Sequence, residues 1–395
     1  WCGANRFEHG EVTRHDPVLK RLFGFSRMAN FKAVMRLFKK FTQSTNETVM
    51  DSLYQWLFGQ IAINGITLDL DSTVMTRYGT QDGAARGYNP AKRGRASHHP
   101  LMAFVADTRM IANCWLRPGN SSSAHNVQAF LANTLHRLGD KQVCLLRADS
   151  GFADSAFLDH LDTQPMHYIV ALRQNQPLQR ALVNAEGWWV LHDEQGKPVP
   201  GIELTRFRYQ PEAWSTPRWV IGIRQHIEQR VAPKGKTLNL FADDPVIGQW
   251  RFSALVTDLD LSATVIWRMY RGRADCENRI KELKYDFAAD SFCMKDFWAT
   301  EATLNTVMLA YNLMSLLRQA LLKTSAVKHS SISVQHTLQT LRYKLFAKPA
   351  YITTESRKPI LHLAVAMQQR AWVQGLWDAS KTFDLPAKFT PIYSP

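Results

Sequence analysis

The chain has 395 residues, and its 48 Lys and Arg against 34 Asp and Glu give a formal charge of +14. This balance favours a polyanionic partner, of which nucleic acid is the obvious one. The five cysteines form no CxxC pair or metal-ligand spacing, and the longest apolar run, residues 304–317, is too short for a bilayer. We therefore expect reduced thiols, no structural zinc and no membrane partner.

The amino-terminal segment predicts helices over about residues 11–60. The chain opens WCGANRFEHG, without a methionine or a secretory signal, so we expect that the original start is missing. Within this segment FKAVMRLFKKF is amphipathic and basic. It fits a helix that contacts phosphates, and it also fits a packing helix with an exposed lysine side, which is the favoured interpretation.

The segment ITLDLDSTV, residues 66–74, predicts a short buried strand, because it is rich in β-branched and leucine residues that alternate with polar ones. Asp69 and Asp71 are two residues apart, so on a strand they point to the same face. A carboxylate on a core strand is unfavourable unless a cation compensates for its lost hydration. A divalent metal would provide that compensation.

A basic loop and a hairpin follow this strand. The loop GYNPAKRGRASHH includes Lys92, Arg93 and Arg95, whose charges suit a phosphate backbone, although a solvated loop has the same composition. His98 and His99 are adjacent and lack a third ligand at metal spacing, so we expect no zinc site there. The runs PLMAFVAD and MIANCWL are separated by two residues and predict an antiparallel hairpin.

A second apolar run, KQVCLLRADSGF at residues 141–152, ends abruptly in polar residues. Gly151 permits a sharp turn, so Asp149 is expected at the carboxyl end of a strand, where open α/β sheets bind ligands. An aspartate before a glycine is often only a turn residue, and that alternative stays open. Helices at about 123–138 and 153–163 and the strand HYIVALR complete an α/β pattern with a mixed sheet.

From about residue 175 to 258 the composition changes. Tryptophans occur among strand-like runs such as RWVIGIRQHI and WRFSALVTD, which predicts a β-rich insertion. Trp250 lies in this insertion, 27 residues before Glu277. A tryptophan in such a module is more often a core residue than a platform on which a base stacks, and both interpretations stay open.

Four residues in YRGRADCENRIKELK form the most informative pattern. Tyr270, Arg273, Glu277 and Lys284 lie at offsets of 3, 7 and 14. At about 100° per residue these offsets fall within an arc of about 60°, which predicts one stripe on one helix face. Two cations and a phenol can bind phosphate oxygens while the carboxylate holds a metal ion. A solvated helix with ordinary ion pairs is the alternative.

The three candidate carboxylates are far apart in sequence. Two aspartates on strands and one glutamate on a helix can supply hard oxygen ligands to paired Mg²⁺ ions about 3.5 to 4 Å apart. Such a site suits phosphoryl transfer, with one ion at the attacking oxygen and the other at the leaving oxygen.

Together these motifs resemble the bacterial insertion-sequence transposases of the DDE type that carry the Tyr-Arg-Glu-Lys signature. The four residues of YRGRADCENRIKELK match every interval of that signature, and LDLDST and LLRADSGF resemble its two aspartate blocks. Residues 78–104 resemble one subgroup closely, and the likeness runs from about residue 60 to about residue 320.

The resemblance implies a ribonuclease-H-like fold and cut-and-paste transposition. It implies that Asp71, Asp149 and Glu277 form the catalytic and metal-binding triad. Asp71 is preferred over Asp69 because the family's aspartate precedes a small hydroxyl pair. Two Mg²⁺ ions are implied as cofactors, with Mn²⁺ as a substitute.

The implied partners are double-stranded DNA, as terminal inverted repeats and as target, and a second copy of the chain in a synaptic homodimer. The implied location is the cytoplasm, in association with the nucleoid. Tyr270, Arg273 and Lys284 are expected to bind DNA, and Trp250 to stack on a flipped base beside the cleavage point.

The sequence therefore predicts five regions, listed here in chain order: a helical remnant with a truncated DNA-binding module at 1–62, the first part of the catalytic core at 63–174, the β-rich insertion at 175–258, the second part of the core at 259–320, and a C-terminal helical region at 321–395. One alternative function is a catalytically retired protein that binds its terminal inverted repeats. Another is a paired-carboxylate glycosidase with tryptophans for sugar stacking, which the positive charge disfavours.

Overall fold

The computed structural model describes residues 1–227, 247–322 and 336–393. Residues 228–246 of the predicted insertion and residues 323–335 of the predicted C-terminal region lie outside the described residues. The strands of the described part are, in chain order, β1 Ile61–Ala62, β2 Ile66–Ser72, β3 Met75–Thr76, β4 Ala85–Arg86, β5 Ala96–His98, β6 Leu101–Val105, β7 Met110–Trp115, β8 Val143–Ala148, β9 His167–Ala171, β10 Trp189–His192, β11 Pro198–Tyr209, β12 Arg218–His226, β13 Trp250–Thr257, β14 Ala350–Glu355, β15 Lys358–Leu363 and β16 Ala387–Lys388.

The α-helices are also given in chain order. They are α1 Gly10–Arg14, α2 Pro17–Leu22, α3 Phe31–Phe38, α4 Gln43–Gly59, α5 Val127–Leu138, α6 Ser155–Leu161, α7 Gln176–Val183, α8 Ala263–Arg271, α9 Ala274–Tyr285, α10 Phe297–Leu316, α11 Leu338–Leu341 and α12 Met367–Lys381.

A large mixed sheet organises the molecule, with strand order β10-β11-β12-β13-β9-β8-β2-β6-β7. β2, β8 and β9 are parallel, whereas β6 is antiparallel to β2 and forms the predicted hairpin with β7. The order β7-β6-β2-β8-β9 is the ribonuclease-H-like arrangement that the resemblance implied. The mixed α/β class is confirmed. Buried apolar residues on the central strands explain why they lie in the middle of the sheet.

The strands of the predicted insertion continue this same sheet. β13 pairs antiparallel with β9, in a register that places Leu255 opposite Ala171, and β12, β11 and β10 follow outward. Helix α7 precedes these strands and is capped at its N-terminus by Asn175, whose side chain accepts a hydrogen bond from the backbone of Leu178. The described strands of the insertion therefore lengthen the large sheet.

Residues 304–316 of the apolar run lie in α10, most of whose residues are buried, as predicted. Its asparagines are paired with backbone groups: the Asn312 side chain accepts from the Ile111 amide at 2.6 Å and donates to the Ile111 carbonyl at 2.8 Å. These bonds satisfy edge strand β7, whose outer backbone would otherwise lack partners. Among the helices of the described part, none has the length and apolarity needed to span a bilayer.

The C-terminal region differs from the prediction. It contains α11 and α12, but β14 and β15 form an antiparallel hairpin between them, so the description of 321–395 as helical is wrong for this stretch. Ser356 and Arg357 form its turn with φ values of 47° and 65°. A two-residue turn with positive φ at both positions matches the twist of paired strands, and neither residue announces such a turn in the sequence.

Candidate active site

The parallel register of β2 and β8 brings two of the predicted carboxylates together. Leu70 lies beside Ala148 in the sheet, so Asp71 and Asp149 follow at the same level of the same edge. Asp149 is half-buried, and its Oδ1 accepts a hydrogen bond of 2.9 Å from the Gly151 amide. This edge is the carboxyl end of both strands, where the sequence predicted a site.

Asp71 is held by groups from three segments. Its Oδ1 accepts from the Ser72 amide at 2.7 Å, its Oδ2 lies 3.1 Å from Nη2 of Arg273, and the Cys276 thiol donates to it. Burial raises the pKa of Asp71 to about 6; Arg273 opposes this rise, and the neighbouring Asp149 adds to it. The effect of Asp149 on Asp71 indicates that the two carboxylates are close, and a bound cation would relieve it.

Asp69 lies on the same face of β2 but in a closed environment. Its two carboxylate oxygens accept from Nε and Nη2 of Arg147 at 2.7 and 2.9 Å. Asp69 is 0% exposed and Arg147 is 1% exposed. Asp69 is thus fully paired inside the protein, whereas Asp71 lies at the open edge.

Gly151 allows the turn after Asp149 to approach a neighbouring loop. A Cβ atom at this position would lie 2.8 Å from Ser123 Oγ and 3.0 Å from Asp149 Oδ1. The turn itself is a short 3₁₀ segment, Ser150–Phe152. The predicted sharp turn at Gly151 is therefore confirmed, and its reason is close packing.

The four signature residues do not lie on one helix, which corrects the prediction of a single stripe. Tyr270 lies in the last turn of α8, Arg273 precedes α9, and Glu277 and Lys284 lie within α9. Backbone bonds of the i to i+3 type, such as Arg273 amide to Tyr270 carbonyl at 3.0 Å, separate the two helices. The two helices are thus separated by a tighter turn at Gly272 and Arg273, where the backbone keeps helical angles but the hydrogen bonds change from the i+4 to the i+3 type.

Two of these cations nevertheless reach the end of β2. Nη2 of Arg273 donates to the Leu70 carbonyl at 3.1 Å, and Nζ of Lys284 donates to the Val74 carbonyl at 2.9 Å. Burial raises the pKa of Tyr270, and Asp149 and Asp71 contribute to the rise while Arg273 opposes it. Tyr270, Arg273 and Lys284 thus surround the two aspartates.

Two of the signature residues, Arg273 and Glu277, have polar groups that are open to a ligand. Nε of Arg273 is buried and has no hydrogen-bond partner in the described structure. Glu277 follows Cys276 on α9, and its side chain is exposed. Within the described ranges, no three or more His, Cys, Asp or Glu side chains are gathered closely enough to hold a metal ion.

A hydrogen-bond network that the sequence did not predict borders the site. His99 Nδ1 lies 2.8 Å from the Ser121 carbonyl, and since a carbonyl only accepts, Nδ1 carries the hydrogen. Nε2 then accepts from the Ser72 hydroxyl at 3.1 Å, and Ser72 Oγ lies 2.9 Å from Ser123 Oγ. Burial lowers the pKa of His99 and so favours the neutral ring. The sequence signal that could have indicated this role of His99 is its position just before β6, which pairs antiparallel with β2.

The basic loop includes β5, the central strand of a small sheet of order β3-β5-β4 beside the site. The loop cations Lys92, Arg93 and Arg95 are exposed. Arg93 and Arg95 line a pocket of about 340 Å³ together with Arg77 and Arg86. All the charged residues of this lining are arginines.

The loop is anchored by buried His98. Its Nδ1 accepts from Arg77 Nε at 2.9 Å, and its Nε2 donates to the Asp82 carbonyl at 2.8 Å. Arg77 also donates to the Asp290 carbonyl, just beyond α9, at 2.5 Å. The basic loop is therefore tied to the segment that follows the signature helix.

Trp250 begins β13 and is half-buried. Its ring meets the His226 ring edge-on at 5.5 Å between centroids, and the Arg224 guanidinium lies 4.6 Å from its centroid. These contacts belong to the packing of the sheet surface and leave the stacking role a prediction.

The fold and the site define a protein with two strand-end carboxylates beneath a cationic helix pair. The chain belongs to the family described as transposase DDE domain group 1, whose model matches residues 1–379. Among solved structures, it is similar to the cryo-EM structure of the piggyBac transposase synaptic complex with hairpin DNA, with a TM-score of 0.38 and 12% identity. That match covers 71% of this chain and 51% of the piggyBac chain, so the chain spans about half of that protein. No curated protein matches the chain.

Proposed function

We propose that this protein is the transposase of a bacterial insertion sequence and acts by cut-and-paste, cleaving phosphodiesters at the element ends and joining the freed 3′ ends to target DNA. The observation that carries the proposal is the pair Asp71 and Asp149 at one sheet edge, facing Tyr270, Arg273 and Lys284. The paired carboxylates can hold metal ions, and the cations above them can bind an anionic substrate whose reaction needs a metal.

Carboxylate oxygens are ligands that divalent metal ions prefer. Asp71 and Asp149 supply two such carboxylates, Asp149 disfavours the charged form of Asp71, and Glu277 presents an exposed carboxylate on α9. These three residues are the proposed ligands of two Mg²⁺ ions, for which Mn²⁺ can substitute. When bound, the ions supply an activated attacking oxygen and charge stabilisation at the leaving oxygen.

The surrounding side chains are proposed to hold the scissile phosphate. Arg273 keeps Asp71 in place through Nη2 and has a buried, unpartnered Nε, which is a suitable donor to a phosphate oxygen. Lys284 is anchored to the same strand end, and burial lowers its pKa. Together with Tyr270 these groups would orient DNA by charge and hydrogen bonding, without reading bases.

The DNA is proposed to continue over the basic loop. Lys92, Arg93 and Arg95 are exposed there, and the arginine-lined pocket lacks a carboxylate among its lining residues. Such a surface neutralises phosphates whatever the sequence. Trp250, in the β-rich insertion, is the proposed residue on which a flipped base stacks. Two copies of the chain would be needed to hold two element ends, and the cytoplasm, at the nucleoid, is the proposed location.

The test is Mg²⁺-dependent cleavage of DNA that carries the terminal repeats of the parent element, with products sized on a denaturing gel. Glu277→Gln should abolish cleavage while DNA still binds. The control is Glu355→Gln, which makes the same substitution at an exposed residue of β14 and should cleave as the wild type does. Cleavage that survives Glu277→Gln would remove Glu277 from the site.

The same gel tests the alternative of a retired transposase. A wild-type protein that binds the repeats tightly but leaves them intact with Mg²⁺ or Mn²⁺ would support the binding function. It would then be wrong to assign catalysis to the carboxylates.

A further inference from the structure

A buried ion pair lies directly beneath the two strand-end aspartates. Asp69 and Arg147 are register partners on β2 and β8, and Asp71 and Asp149 each lie two residues further along the same strands. Side chains two apart on a strand share a face and are separated by about 6.6 Å. The pair is therefore one step below the proposed metal ligands, on the side of the sheet that α8 and α9 cover.

Arg147 extends this pair to the helices. While Nε and Nη2 hold Asp69, Nη1 donates to the carbonyl of Met269, the residue before Tyr270. The hydroxyl of Tyr393 donates to the same carbonyl at 3.3 Å, and its ring lies 6.0 Å from the guanidinium. One fully buried side chain thus joins both aspartate strands to the end of α8.

Gly272 makes this contact possible. A Cβ atom built on it would lie 2.7 Å from Arg147 Nη1, which is closer than any side chain tolerates. The backbone of Gly272 has helical angles, φ −57° and ψ −21°, so the position does not require glycine for conformational reasons. The glycine between Tyr270 and Arg273 is explained by the approach of Arg147.

We propose that Arg147, oriented by Asp69, is a positioning residue for cleavage: it fixes the junction of α8 and α9 so that Tyr270 and Arg273 face Asp71 and Asp149. This inference rests on the proposed function. A buried ion pair is by itself weak support for stability, since an apolar replacement is often as stable. The third bond, from Nη1 to Met269, has a direct consequence for the site because it sets where the signature residues lie.

The decisive variant is Gly272→Ala, which adds one methyl group against Arg147 and removes no side chain from the site. We expect the single-turnover cleavage rate at saturating DNA to fall by up to about 100-fold, as for other small displacements of catalytic groups. DNA affinity without metal and the thermal midpoint should stay near the wild-type values. Gly59→Ala, on α4 where a Cβ atom meets no atom within 4 Å, is the matched control and should cleave normally.

A second variant isolates the Arg147 contact. Arg147→Lys can still pair with Asp69 but lacks Nη1, so it loses the bond to Met269 and also frees the space beside Gly272. It should lower the cleavage rate with little change in DNA affinity. The double variant Arg147→Lys with Gly272→Ala should be no slower than Arg147→Lys alone, because the clash is gone.

The outcomes separate the two proposals. The positioning role would be overturned by independent, multiplicative losses of cleavage rate in the double variant or by a normal cleavage rate of Gly272→Ala. The transposase function would still be upheld in either case if the wild-type protein cleaves. A uniform loss of DNA affinity and folding in the variants would show a structural role only and also overturn it. A wild-type protein that never cleaves would overturn the proposed function and this inference with it.

Discussion

β2 carries one aspartate at an inner position, Asp69 in the middle of the strand, and one near its outer, carboxyl end, Asp71, and the two differ in how their charge is neutralised. At the inner position Asp69 accepts two hydrogen bonds from Arg147, and both side chains are buried. At the outer end Asp71 shares Arg273 through one contact of 3.1 Å and lies beside a second carboxylate, Asp149. Both aspartates face the same side of one strand, and two residues separate them.

The difference shows that burial alone does not distinguish a structural carboxylate from a functional one. What distinguishes them is whether the protein itself neutralises the charge. Asp69 has its full complement of partners, so nothing further is needed. Asp71 is buried with its charge incompletely compensated, as its raised pKa indicates, which leaves a role for a bound cation.

The largest expected effect comes from Asp71→Asn. The amide keeps the shape but removes a proposed metal-binding charge, so cleavage should fall at least about a thousandfold, equivalent to about 4 kcal/mol. DNA binding without metal should be retained. A gel assay with and without Mg²⁺ measures cleavage, and a filter-binding titration measures DNA binding. Near-normal cleavage would mean that the outer end is as structural as the inner one.

Asp69→Asn should act on folding instead. It leaves the Arg147 charge buried without its partner, which typically lowers the free energy of unfolding by about 3 to 5 kcal/mol. Urea unfolding followed by circular dichroism measures the change. The control is Asp260→Asn, whose exposed pair with Arg206 should contribute less than about 1 kcal/mol. Equal losses of unfolding free energy in the two variants would contradict the conclusion that Asp69 is neutralised in a buried pair.

The pH dependence of the metal-free protein should report Asp71. Its pKa is raised from 3.8 to about 6 in the folded state, so the folded protein binds the proton more tightly than the unfolded chain. The contribution to stability is complete below about pH 4 and is lost as pH rises through about 6, a change of about 2 to 3 kcal/mol.

Urea unfolding between pH 4 and 7 tests this change by comparison with Asp71→Asn. The variant lacks the titrating group, so the difference in unfolding free energy between it and the wild type should vary with pH across this window. A difference that is flat with pH would show that Asp71 titrates normally and that the outer end is not electrostatically open.

The smallest expected effect comes from Arg273→Lys. Lysine keeps the charge but loses the planar group that reaches Leu70 and leaves Nε for a ligand, so we expect roughly a tenfold slower single-turnover rate. Arg271→Lys makes the same change at the exposed neighbouring position and should leave the rate unaltered. Equal rates for both variants would place Arg273 outside the site.

Much of the core was predictable from local patterns. β2 was predicted from β-branched and leucine residues that alternate with polar ones, and β8 from the apolar run before Asp149. The spacing of Tyr270, Arg273, Glu277 and Lys284 predicted a set of site residues that stays a prediction, and the buried helix at 304–317 followed from its length and composition. These features depend on residues close in sequence.

Other features depend on residues that only the folded chain brings together. The Asp69–Arg147 pair joins positions 78 apart, and its Arg147 side chain lies against Gly272, between Tyr270 and Arg273. The contact of Asn312 with edge strand β7 joins positions 201 apart. Sequence patterns thus determined the elements and the candidate carboxylates. Tertiary packing decided which aspartate is neutralised and where the signature residues lie, because burial and charge pairing are properties of neighbours in space.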